Sequence, residues 1–469
     1  MSDNKHFTQD KTFASLRKKY NIIDDLFEGL PAMRRYSDYY LPQEPKESSK
    51  NYKMRVERSV LEPVLKRTIL QSVGKAFSKP MEVTVPPQLE ALRDNVDNTG
   101  VSIESYAKDL LIETVKYGVM YIIVDFPIMD PNATLDDEIR AGAKPYFVNV
   151  KPKNVLKLKL GYVNGFPQLK MFRFLESVTA VNYKTGKEES ITQSKEFELV
   201  PDEDGNTLVI YRIFRKDEKD NEFLYDENII RGVSEIPIVP VYSNKEEPYI
   251  GSPPLMDLAH LNISHYRKNS DIDVALHYGA MPMLKIKGST SSVNPETGQE
   301  EEIVISPNSG INVSADGDVS WIELKGNGIK VYMDNVKELE ASMSVLGLEL
   351  TSKRAIAETA TGRLLDEHTS NSILKTICID LESSLTNGFT FAAGYIGANT
   401  ENINIHIDTS LAVTPDSGID TLISLVREGI LSAKDALEEI RQRQLLLINP
   451  ENPPVQIERM NRLMDEDER

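Results

Sequence analysis

The chain has 469 residues, 40% of them apolar, a formal net charge of −18 and a single cysteine, Cys378. That length and apolar content suit about two to four cored domains, which excludes a disordered protein, and one cysteine excludes an intramolecular disulfide framework. The acidic balance argues against a protein that grips nucleic acid by broad phosphate neutralisation. The chain has no apolar run of roughly 18 residues and no apolar stretch in MSDNKHFTQDK, so it is expected to be made in the cytosol and not to span a membrane.

The charge is uneven along the chain. Residues 1–80 carry 16 Lys+Arg against 10 Asp+Glu, so the head is basic and the remainder strongly acidic. Residues 11–30 predict a first helix ended by Gly29 and Pro31, and 36–42 an aromatic turn. Val60, Leu61, Val64, Leu65, Ile69, Val73 and Phe77 recur at helical spacing over 57–77. Met81 to Val85 alternates as a short strand, and 86–102 is a polar connection. Residues 103–117 predict a helix stopped by Gly118, with a buried strand at once in Val119 to Val124.

From 145 to 245 the composition turns to strands. Segments 146–150, 168–174, 177–182, 197–200, 207–214 and 236–241 are β-rich, broken by turn residues such as Asn164-Gly165 and Asp204-Gly205. Residues 251–282 then read as one long helix, with Ser252 as N-cap, Pro253 at the first helical position, Gly279 as the left-handed cap and Pro282 beyond. Its apolar positions are sparse and interrupted by Asn, Ser, Arg and Asp, which predicts faces that meet neighbouring copies or water. Short strands follow at 283–286 and 303–305, and around the only tryptophan, Trp321. A second helix over 333–350 carries a seam of Val336, Leu339, Met343, Leu346 and Leu350, the pattern of side-by-side helix packing. Residues 351–363 mix small residues with Lys353, Arg354 and Arg363 as a loop; 364–395 is helical, 402–408 a strand, and 416–428 and 432–447 two short helices.

The search for chemistry finds little. There is no GxxxxGK[ST], GxGxxG after a strand, HExxH or GxSxG, so no catalytic residue, cofactor or metal is assigned. Asp202, Asp204 and Gly205 lack the alternating oxygens of a calcium loop and read as a β-turn. His260 and His265 are five apart and do not share a face as a metal pair would; His406 and Asp408 read as a surface ion pair, and Cys378 as a small core residue.

In this order the residues resemble bacteriophage portal proteins, the head-to-tail connectors of tailed phages. The resemblance spans roughly 50–447 and is carried by YAKDLLIETVKYGVMYIIVDFP (106–127), KPYFVNVKPKNVLKLKL (144–160), IPIVPVYS (236–243) and GSPPLMDLAHLNISHYRKNSDIDVALHYGAMPML (251–284). The last is similar to portals of short-tailed phages.

The resemblance implies a non-enzymatic α+β multidomain portal fold. Residues 1–250 look like a wing of helices and mixed sheet, 251–280 and 331–350 like the two stem helices, and 281–330 like a small β clip. Residues 351–363 look like the tunnel loop, 364–412 like the wing's return helix and strand, and 413–469 like a short helical crown and charged tail. It further implies a homo-oligomeric ring, usually of twelve, at one capsid vertex of the virion, assembled in the host cytoplasm. The ring would be a channel for packaging and ejecting double-stranded DNA, without sequence-specific binding or membrane contact. Its implied partners are the terminase large subunit, head-tail adaptors, and major capsid and scaffolding proteins.

On this reading Lys353, Arg354 and Arg363 face the lumen. Leu258, Leu261, Tyr266, Val336, Leu339, Met343 and Leu346 are expected at subunit interfaces, and Leu258→Asp or Leu339→Asp to block assembly while sparing local helix. The alternatives are a metal-dependent nuclease or nucleotidyltransferase, weakened because Asp271 and Asp273 point to different sides of a helix, and a non-viral oligomeric scaffold.

Overall fold

The computed structural model describes residues 6–127, 140, 143–181, 186, 188–201, 207–230, 232–279, 283–289, 313–322, 327–351, 360–408, 426 and 432. The helical head comprises α1 (Lys11–Glu28), α2 (Leu30–Arg35), α3 (Ser37–Tyr40), α4 (Ser49–Arg58) and α5 (Val64–Ala76). The strand β1 (Glu82–Thr84), the short helix α6 (Glu90–Asp94) and α7 (Ile103–Tyr117) follow. Two sequence expectations are corrected here. Pro31 does not merely end α1 but opens α2, where its missing N–H costs nothing. The helix expected over 57–77 is interrupted at Ser59–Pro63, because α4 ends at Arg58 and Pro63 precedes the first turn of α5.

The helix–Gly–strand unit holds closely. Ser102 caps α7 by accepting from Ser105 N, and Gly118 closes it in the left-handed conformation with φ +86°. The site also demands glycine for space, since a Cβ there would lie 2.0 Å from the Ser252 carbonyl oxygen. The strand β2 (Val119–Asp125) leaves this cap directly and is buried along nearly its whole length.

The remaining strands of the body are β3 (Tyr146–Val150), β4 (Val155–Val163), β5 (Phe166–Val181), β6 (Glu188–Pro201), β7 (Thr207–Lys216), β8 (Glu222–Ile230) and β9 (Ile238–Tyr242). They make two antiparallel sheets, one ordered β3-β2-β9 and one a meander β4-β5-β6-β7-β8. A small ribbon, β10 (Lys245–Glu247) with β11 (Ile250–Gly251), leads out of the body. The segments expected as two strands over 168–182 are one sixteen-residue strand, and β4 and β8 were not anticipated as strands.

Side-chain alternation explains how the body is layered. Met120, Ile122 and Val124 point into a core shared with the helices, while Val119, Tyr121 and Ile123 point into a second core with Phe172, Phe174 and Phe197 of the meander. Thus β2 serves both cores, and its continuous apolar run is the consequence.

Three long helices complete the described chain. We call Met256–Gly279 the outbound helix, Asn327–Thr351 the return helix and Ala360–Ile396 the cross helix. Between the first two lie β12 (Met283–Ser289) and β13 (Val313–Ile322), paired antiparallel with Leu284 opposite Trp321. The expected strand at 303–305 lies outside the described residues. The cross helix buries Leu374, Ile377, Cys378, Leu381, Leu385 and Phe389 along one face, and its Tyr395 hydroxyl donates to the Val124 carbonyl at 3.2 Å. Cys378 is fully buried, which pushes its thiol pKa up to about 12 and makes it a small apolar core residue. Finally β14 (Asn404–His406) pairs with β1. His406 does not pair with Asp408: its Nδ1 lies 3.0 Å from Glu382 Oε1, whereas Asp408 holds Lys79 at 2.6 Å.

Candidate functional site

The feature that carries functional meaning is the antiparallel hairpin of the outbound and return helices with its β insertion. At about 1.5 Å per residue, each helix is a rod of roughly 36–38 Å. Two contacts fix their opposed direction, His265 Nε2 to Glu340 Oε1 at 3.2 Å and Lys268 Nζ to the Asn335 side chain.

The outbound helix starts at Met256, later than the caps suggested, because Ser252 is used elsewhere. The Asn244 side-chain amide donates to the Ser252 carbonyl and hydroxyl at 3.2 Å each, and Ser252 packs against Gly118. Leu255 just before the helix is buried, and the first two-thirds of the helix is buried through Leu258, Ala259, Asn262, Ile263, His265, Tyr266, Ser270 and Ile272. Asn262, His265 and Ser270 of that row have partners inside the chain, whereas the buried Tyr266 hydroxyl has no hydrogen-bond partner among the described residues. Asn262 donates to the Glu62 carbonyl at 2.9 Å and accepts from Leu65 N at 3.2 Å, holding the start of α5. Ser59 Oγ donates to Ser270 Oγ at 2.8 Å, and Arg267 donates to the carbonyls of Tyr40 and Tyr39. Asp271, at the helix surface, has a pKa raised by partial burial, against the opposing pull of Arg55.

These contacts correct the expected interface. Leu258, Tyr266, Val336 and Met343 are buried within the chain's own packing and are not free to meet a neighbour. Leu261, Leu339 and Leu346 are half-buried, with Leu261 and Leu346 packed on the same core. The sparse apolar pattern misled because a buried Asn or Ser with a partner looks, in sequence, like an exposed one. Beyond Ile272 the hairpin emerges from the body. Leu276, Val331, Tyr332 and Met333 are exposed there, Val331 at 68%.

Beside the hairpin base a cleft of about 390 Å³ opens between α5 and the return helix, lined by Arg67, Thr68, Gln71, Glu340, Met343 and Ser344 among others. Its lining offers no nucleophile–base arrangement. Among the described residues no three His, Cys, Asp or Glu side chains are grouped to hold a metal ion, and no helix is long and apolar enough to cross a membrane. Lys353 and Arg354 lie outside the described residues, as do Asp202 and Asp204 and nearly all of the two expected crown helices. Arg363 falls within the cross helix, which begins at Ala360, and is not in a loop, while 352–359 lie outside the described residues.

Comparison with known proteins bears on this hairpin. Residues 254–396 match a family model described as Domain of unknown function (DUF4055). That span runs from just before the outbound helix to the last residue of the cross helix. No curated protein matches the chain. Among solved structures, one similar chain comes from the neck of an empty GTA (gene transfer agent) particle computed with C6 symmetry. It is 13% identical with a TM-score of 0.41, over 79% of this chain and 87% of that one. Another comes from the neck of a native GTA particle computed with C12 symmetry, 11% identical with a TM-score of 0.38, over 80% of this chain and 88% of that one.

Proposed function

We propose that this chain is a structural subunit of a phage-type head-tail connector and, more finely, a portal protein that assembles into a ring around a DNA channel. The observation that carries the reading is the hairpin: two long antiparallel helices bracket a β ribbon, and a third long helix returns to the body. This is the stem–clip–stem order that the sequence resemblance implies for portals, with the two β-sheets and helical head as the wing. The exposed apolar residues at the emerging end of the hairpin suit contact with adjacent copies.

A channel wall that passes DNA has to avoid holding it, and a net charge of −18 per chain supplies repulsion that persists over about a Debye length, roughly 8 Å at physiological salt. The role is structural, with no catalytic step. Terminase, adaptors and capsid protein are the partners that this role would require.

Negative-stain imaging with native mass measurement of the purified full chain tests the reading. The expected result is a closed ring, near a dodecamer of roughly 600 kDa, with an axial hole. A monomer at all concentrations, or a compact oligomer without a hole, would overturn it, and divalent-metal-dependent nuclease activity of the pure chain would restore the enzyme alternative.

A further inference from the structure

Residues 6–10 form a strap across the five-stranded meander. At one end Asp10 N donates to the Leu156 carbonyl at 2.7 Å, and the Gln9 side-chain amide donates to the Val155 carbonyl at 2.7 Å, which ties the strap to β4. At the other end it reaches β6, β7 and β8. His6 N donates to Glu222 Oε2 at 2.7 Å, Ser194 Oγ donates to the His6 carbonyl at 2.8 Å, and the His6 ring stacks on Phe214 with centroids 3.6 Å apart. Beyond Asp10 the chain runs straight into α1, whose Phe13 is buried in the core that β2 shares with the meander. The His6 end can therefore lift while the helix stays seated.

The strap lies on the side of the meander that an antiparallel sheet ordinarily leaves to water. Opposed partners share a face, so Arg173, Ser194, Glu196, Arg212 and Phe214 stand together there, while Phe172, Phe174 and Phe197 point the other way into the core. Arg173 Nε donates to Glu196 Oε2 at 2.6 Å, and of the five residues all but Arg212 are buried.

His6 is the point at which this hold can be undone. Its Nδ1 is buried and has no hydrogen-bond partner among the described residues. In the neutral ring Nδ1 can be the nitrogen without hydrogen, whereas the protonated ring would bury an N–H donor with no acceptor. Charged groups face the ring from each strand beneath it: Arg173 on β5, Glu196 on β6, Arg212 on β7 and Glu222 on β8, with Lys216 of β7 beside the neighbouring Phe7 ring at 5.1 Å. Burial, then Arg173 and Arg212, disfavour the charged ring, and Glu196 and Glu222 favour it; the balance holds its pKa below the ordinary 6.5. We propose that the strap is an acid-released latch, which covers this face of the meander at neutral pH and lifts from it when the His6 ring takes up a proton. The lifted segment binds that proton more readily than the latched one, so the hold is complete above about pH 6.5 and is lost progressively as the pH falls below it. Lifting opens Ser194, Phe214 and the Arg173–Glu196 pair to solvent. The latch acts within one chain and does not depend on the ring reading above.

Hydrogen exchange of the full chain tests the latch, read over residues 6–13 at about pH 7.5 and about pH 5 and corrected for intrinsic rate with the free peptide of that sequence. The parent is expected to lose about tenfold in protection there on acidification, with the protection of β2 unchanged. His6→Phe keeps a ring on Phe214 but cannot titrate, and His6→Gln cannot titrate either; each is expected to change by less than about twofold between the two pH values, whatever its protection at the higher one. A parent whose strap is equally protected at both pH values overturns the latch, as do variants that lose protection in acid as the parent does, since the release would then belong to another group.

Discussion

The two ends of the helical hairpin behave as different materials although they share the same two helices. At the base, Leu258, Tyr266, Val336 and Met343 are sealed in the body, and even the polar side chains of Asn262 and Ser270 have partners there. At the far end Leu276, Val331, Tyr332 and Met333 face solvent, with no side chain of the described body over them. A helix can therefore be a core element for two-thirds of its length and a presented surface for the rest. Substitutions at the base test the fold, and substitutions at the far end test assembly.

Leu258→Asp should break the base most severely. A carboxylate placed at a position 1% exposed, without a partner, is expected to destabilise by about 4 kcal/mol or more and unfold much of the body. Denaturant titration would show it; a variant that stays folded but unassembled would return Leu258 to the subunit interface. Met343→Ala, which removes a buried side chain beside the α5 cleft, should cost about 2–4 kcal/mol, less if the cleft wall closes in. Asn262→Ala strands Leu65 N and removes one of two donors to the Glu62 carbonyl, so a loss of about 1–3 kcal/mol is expected, read as a lower midpoint at unchanged slope. At the other extreme, Tyr332→Ser should change monomer stability by no more than about 0.5 kcal/mol yet weaken self-association. A large stability loss there would mean that the far end is packed after all, and the comparison would fail.

The sequence was legible where local chemistry and burial agree. The α7–Gly118–β2 unit was readable because a capping serine, a glycine with positive φ and an unbroken apolar run all mark the same boundaries. The meander was readable as strands but not in its extent. EFLYDENII on β8 alternates without a clean apolar face, since an edge strand with exposed side chains escapes the pattern of burial. The hairpin was visible as two helices around a ribbon, but which of its side chains are buried was not. Asn262, His265 and Ser270 are buried with partners more than fifty residues away, and no periodicity reveals such a match. The basic positions Lys353 and Arg354, expected at the lumen from the sequence resemblance, lie outside the described residues.

The strand β2 has a consequence for synthesis. Its two partners emerge at very different times: β3 begins within about 20 residues, whereas β9 arrives over a hundred residues later, and the cross helix that covers the same sheet later still. At about 5–20 residues per second, the most apolar strand of the body waits on the order of ten seconds with one edge unmatched. Folding on the ribosome is thus paced by distant chain, as expected for contacts of large sequence separation. Slower translation lengthens that exposed interval, so the yield of intact subunit should depend on elongation rate and growth temperature more than the stability of the finished fold would suggest.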